Sequence, residues 1–121
     1  MYNETVKEHF INPRNVGTIE NPDAHARVES DVHNDLIELY LVINDDRIDE
    51  IKFRAFGCAA AIAASSMTTE LAQGMSLDEA LALDEEDVVV ALGGLPPEKI
   101  VCSVLGPSAL HQAIETYRQK Q

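Results

Sequence analysis

Hydrophobic residues recur at every second position through Ile37, Leu39, Leu41 and Ile43, while Glu38 and Tyr40 face the other way. That period of two specifies a strand with one buried face. The polar run "NDDR" supplies a turn, and a further strand over about 48–56 carries Ile51, Phe53 and Ala55 on one face and Lys52 and Arg54 on the other. A weaker alternation over 27–32 places Val28 and Val32 together, whereas 17–24 is too polar to assign. Three strands joined by short polar turns predict an antiparallel meander with one buried and one wet face.

The pattern changes after Gly57. "CAAAIAASSMTTELAQG" is rich in helix formers and very small side chains, and Gly74 supplies a left-handed stop. Ser76 with Glu79 forms a capping box, and Asp84 with Asp87 marks another helix start, with an end near Gly93-Gly94. Pro96-Pro97 opens a helix expected to run through Lys99, Cys102 and Leu105 until Gly106-Pro107 breaks it, after which Ser108 caps a final helix with the stripe Leu110, Ala113, Ile114 and Tyr117. At the other end, 3–11 predicts a short helix with Val6, Phe10 and Tyr2 on its inner side, stopped by Asn12-Pro13. Strands followed by helices give an α+β class: a three-stranded antiparallel sheet with helices packed on one face, in a single domain over 1–121.

Composition fits an ordinary globule, with 45% hydrophobic and 25% charged residues. The net charge of −12 repels nucleic acid and makes a basic macromolecular partner the natural one. No apolar run is long enough to span a bilayer, and "MYNETVKEHF" lacks the features of a targeting segment, so a cytoplasmic protein without a membrane role is expected.

Chemistry concentrates in few residues. Cys58, at a strand-to-helix junction, would place its sulfur among unpaired N–H groups at the positive end of a helix, where thiolate is favoured. Cys102, in the opening turns of the helix after Pro97, invites the same argument more weakly. Two small buried thiols and two metal ligands both fit these positions. In "DVHND", Asn34 and Asp35 suit a turn but His33 is not needed for one. His33 and Asp35 lie on one side of an extended chain, and with Cys58 and Cys102 they complete a sensible four-ligand set for zinc or an iron-sulfur cluster. Spacing alone does not bring them together. His9, His25 and His111 are expected in solvated or capping roles. No nucleophile-base-acid set or phosphate-binding loop is present, so the chain is not expected to be an enzyme.

Four stretches, "HFINPRNVG" from His9, "FRAFGCAAAIAASS" from Phe53, "GMSLDEA" from Gly74 and "LPPEKIVCS" from Leu95, resemble in one order the IscU/NifU-type iron-sulfur cluster scaffold family. The resemblance runs from about Tyr2 to Lys120. It implies the IscU/NifU N-terminal-like fold, in which three cysteines and an aspartate converge at one exposed tip to assemble and pass on a 2Fe-2S cluster, or to hold iron or zinc. Cys58 matches the middle cysteine, Cys102 the last and Asp35 the aspartate of Cys-Gly-Asp. The resemblance further implies a cysteine desulfurase, an Hsp70-type chaperone and acceptor apoproteins as partners. The chaperone would read Leu95, Pro96, Pro97 and Lys99, although a helix start explains the two prolines equally well.

The chain departs from the family where "SDVHND" replaces the glycine-rich loop that ends in Cys-Gly-Asp. His33 stands in place of the first cysteine, and Val101 replaces a histidine that many members carry before the last cysteine. Imidazole for thiolate removes one negative ligand and one sulfur nucleophile. Three readings result: a divergent scaffold holding a metal or 2Fe-2S cluster through Cys58, Cys102, Asp35 and His33; a zinc-bound persulfide acceptor in sulfur transfer; or a metal-free interaction module.

Overall fold

The computed structural model describes residues 2–30 and 34–120. Strands β1 (Ala24–Glu29), β2 (Leu36–Asn44) and β3 (Arg47–Phe56) form an antiparallel sheet in the order β1-β2-β3. Helices α1 (Glu4–Ile11), α2 (Ala59–Ala72), α3 (Leu77–Leu81), α4 (Glu85–Ala91) and α5 (Leu105–Gln119) complete the domain, with a 3-10 segment over Pro97–Ser103. Among the described residues, no helix is long and apolar enough to cross a membrane.

The sheet follows the alternation in the sequence. Ile37, Leu39, Leu41 and Ile43 are buried, as are Ile48, Ile51 and Phe53, and they pack with Leu110, Ala113 and Ile114 of α5. Asp45 and Asp46 adopt φ of 52° and 61°, the left-handed pair that a two-residue hairpin needs to match strand twist. The first strand differs from expectation. It begins at Ala24, with Ala24 and Ala26 buried, because alanines facing Leu41 and Leu39 extend the pairing without a strong apolar signal. Val32 lies outside the described residues.

Helix α2 carries Ala60, Ala61, Ala63 and Ala64 on buried positions. Its buried hydroxyls do not go unpaired: Ser65 Oγ donates to the Ala61 carbonyl and Thr68 Oγ1 to the Ala64 carbonyl, each at 2.8 Å. The small surface lets α5 approach so closely that a Cβ on Gly106 would overlap the Thr68 side chain. Gly106 and Pro107 therefore lie inside α5 rather than ending a preceding helix. Proline costs nothing in a first turn, where its missing N–H has no intrahelical acceptor, and the first turn closes as Ser108 N–H donates to the Val104 carbonyl at 3.0 Å. Ser108 is consequently an interior residue and not a cap. Both capping boxes, Ser76 with Glu79 and Asp84 with Asp87, are formed.

Helix α1 turns Val6 inward as expected, with Tyr2 packed against the same cluster, but His9 takes the inner position expected of Phe10. Val6 and His9 are buried, while Phe10 is 44% exposed. His9 Nδ1 lies 2.8 Å from Ser66 Oγ, and Nε2 lies 3.4 Å from Glu70. Ser66 Oγ already accepts the Arg14 N–H at 2.9 Å, so its own proton is available to Nδ1 and the ring N–H sits on Nε2, toward Glu70. A polar network at the α1–α2 contact outcompetes the phenyl ring for the inner face. Burial, and then the nearby Arg14, lower the His9 pKa, with Glu70 and Glu8 opposing.

Two outcomes follow from this packing. Gly106→Ala should destabilise the fold by about 1–3 kcal/mol, since neither backbone nor Thr68 can retreat freely; urea unfolding checks it, and an unchanged midpoint would show that the α2–α5 contact has slack. Because folding depresses the His9 pKa, the unfolded chain binds the extra proton, and the stabilisation present above 6.5 should be lost as pH falls through the folded value. Thermal melts of the parent against His9→Gln over that window should show the flatter profile in the variant.

Candidate metal centre

Strand register assembles the site. Leu36 pairs with Phe56, so the residue before β2, Asp35, comes to lie beside the residue after β3, Gly57. Gly57 has φ +154°, and a Cβ there would overlap the Asp35 carboxylate. Glycine is thus required twice, for its backbone angle and for the close approach. The next residue, Cys58, is the N-cap of α2. Its N–H donates to Asp35 Oδ1 at 3.2 Å, and its sulfur accepts the Ala61 N–H at 3.4 Å.

Cys102 arrives from the 3-10 segment, 3% exposed and packed on Ala60 and Ala61. Its sulfur lies 3.4 Å from that of Cys58. One ligand atom each from Asp35, Cys58 and Cys102 falls within 4.8 Å of the others. Asp35 is 2% exposed, and among the described residues its Oδ2 has no hydrogen-bond partner. A buried carboxylate oxygen without a donor is costly. A cation bound between this carboxylate and the two sulfurs would offset that cost, and two sulfurs with one carboxylate suit zinc or iron.

The expectation of a helix start at Cys102 is not met. Cys102 is near the end of a 3-10 segment, and burial, followed by the hydrogen bond with Cys58, pushes its thiol up to about 12. The charges of Cys58 and Asp35 add to that effect, and Lys99 opposes it. Lys99 thus acts electrostatically on the site, a role not read from the sequence. Three residues per 3-10 turn would have placed Lys99 beneath Cys102. Leu95 is half-buried against α2, Pro97 is exposed, and the Lys99 N–H donates to the Pro96 carbonyl at 2.8 Å.

His33 lies outside the described residues. On either side of it, Ser30 N–H donates to the Asp35 carbonyl at 2.8 Å, and Asn34 has φ 55°. The remaining histidines stand apart: His25 pairs with Glu38 on the outer sheet face, His111 Nε2 donates to the Leu83 carbonyl, and His9 is the buried residue described above. Close to the cysteines along the chain, Phe56, Val101 and Val104 are 60%, 53% and 41% exposed. A hollow of about 340 Å³ beside Asp35 is lined by Arg27, Ser30, Leu36 and Phe56.

The model of the NifU-like N terminal domain matches residues 1–121. The chain belongs to that family. It is 50% identical over 120 residues to the iron-sulfur cluster assembly scaffold protein IscU 1 of Archaeoglobus fulgidus, covering 99% of this chain and 78% of that protein. It is 40% identical over 124 residues to the scaffold protein IscU of Escherichia coli K12, covering 99% and 96% respectively. The crystal structure of the N-terminal NifU-like protein from Brucella abortus superposes with a TM-score of 0.82 at 21% identity, over 98% of this chain and 95% of that one, a likeness of fold. The α+β architecture expected from the sequence is therefore that of the NifU-like domain.

Gly57→Ala should displace the Asp35 carboxylate and weaken Co²⁺ binding by about tenfold or more, as loss of a supporting contact around a metal does. Titration followed by sulfur-to-cobalt absorption measures this, and affinity equal to the parent would show that the glycine contact does not hold the ligand.

Proposed function

We propose that this NifU-like domain is an iron-sulfur cluster assembly scaffold that holds a 2Fe-2S cluster or its iron as cargo on Cys58, Cys102 and Asp35 and passes it to acceptor apoproteins. The observation that carries this reading is the convergence of one ligand atom each from Asp35, Cys58 and Cys102 within 4.8 Å, with Asp35 buried and its Oδ2 lacking a hydrogen-bond partner among the described residues. The names of its IscU relatives support the same cargo.

The chemistry of the ligands suits a carrier rather than a catalyst. Two thiolates give strength toward iron, and a carboxylate among them is the harder, more readily exchanged ligand. Cys102 holds its proton until a cation arrives, so loading releases a proton, and Lys99 offsets part of the negative charge left behind. His33, two residues before Asp35, is the proposed fourth ligand. The exposed apolar side chains of Phe56, Val101 and Val104, close to the cysteines along the chain, offer a cysteine desulfurase a docking surface. The exposed Pro97 and the adjacent Lys99 suit recognition by an Hsp70-type chaperone. A cytoplasmic setting, which keeps thiols reduced, fits both.

Protein purified without oxygen should carry iron and sulfide and show sulfur-to-iron absorption in the visible, and Cys58→Ser should abolish both. Stoichiometric zinc with no visible bands would instead favour the zinc-bound persulfide acceptor, and a colourless, metal-free protein would sink the scaffold reading. His33→Ala should reduce metal retention severalfold, since removing a ligand is costly; full occupancy in that variant would return His33 to a turn.

A further inference from the structure

A second hollow lies away from the thiols. A groove of about 510 Å³ opens at the far end of α2, where Leu71 and Met75 meet Leu83 and Val90, with Glu79 and Asp87 on its walls. Thirteen residues of helix separate Leu71 from Cys58, about 20 Å at 1.5 Å per residue, so an occupant here does not touch the metal site. Val90 points out at 72% exposure although it belongs to a helix with the apolar run Val88, Val89 and Val90.

Charge indicates the occupant. Residues 55–98 contain eight acids and no Lys, Arg or His. Arg118 pairs with Asp78 and Arg47 with Glu79, yet among the described residues no ion pair takes up Asp84, Glu85, Glu86 or Asp87. An apolar floor with Asp87 on its wall, next to the N-cap Asp84 and to Glu85 and Glu86 in the same first turn of α4, is complementary to an amphipathic helix that offers aliphatic anchors along one stripe and Lys or Arg beside them. A second copy of the chain would bring the same acids at a net charge of −12 and meet repulsion.

We propose that the groove between the end of α2 and helices α3 and α4 docks a basic amphipathic helix of a partner protein, leaving the thiol site free. It would hold the scaffold to a partner during loading or unloading at the opposite end. The proposal does not depend on which metal the site carries.

The test uses the full chain, ¹⁵N-labelled, with a synthetic helix of roughly three turns carrying Leu at i, i+3, i+4 and i+7 and Lys elsewhere. Amide shifts should concentrate at Leu71, Met75, Leu83 and Val90. Val90→Lys, a change at an exposed position, should weaken binding at least tenfold, while Val16→Lys outside the groove should leave it unchanged and the same peptide with Glu for Lys should not bind. Shifts spread over all acidic surfaces, or affinity indifferent to Val90→Lys, would overturn the proposal as mere charge attraction. Groove shifts that depend on the chain's own concentration, with no peptide, would assign the surface to a second copy. Metal loading measured on Val90→Lys keeps this outcome separate from that of the thiol site.

Discussion

The Asp35 carboxylate pressed against the Gly57–Cys58 backbone is the contact on which the rest of the site depends. It joins the strand that starts at Leu36 to the helix that starts at Ala59, across the Leu36–Phe56 pair of the sheet. A side chain at residue 57 would separate the two. The same contact fixes the Cys58 N–H on Asp35 Oδ1, and Oδ2 is left buried with no hydrogen-bond partner among the described residues. Its cost in folding is a buried oxygen that has no donor among the described residues.

Electrostatics sharpens this tension. Burial, the hydrogen bond with Cys58 and the charges of Cys58 and Asp35 raise the Cys102 pKa, and Lys99 opposes them. A cationic cargo reverses the balance, because each ligand that is awkward in the dry protein becomes an asset in coordination.

Helix α2 is the rod that gives the molecule two ends. Its alanines and back-bonded hydroxyls let α1, α5 and the sheet come close, with His9 and Ser66 tying α1 and Gly106 seating α5. Thiols occupy its start and the acidic groove its finish. Rigidity along this length is what permits two separated surfaces on a domain of 121 residues.

The meander, both capping boxes and the N-cap position of Cys58 were legible in the chain, because alternation, cap spacing and a strand-Gly-helix junction are local rules. The motifs shared with the IscU/NifU family also identified Asp35, Cys58 and Cys102 as one set. Local rules failed where packing decided. Ala24 and Ala26 carry too little hydropathy to announce a strand, Phe10 lost the inner face to a histidine with partners at both nitrogens, and Gly106-Pro107 entered a helix because α2 left room only for glycine. Residue types determined which side chains were able to bind a metal. Only the tertiary structure brought two sulfurs and a carboxylate within 4.8 Å, since proximity across 67 residues of chain is set by strand register and helix packing and by nothing local.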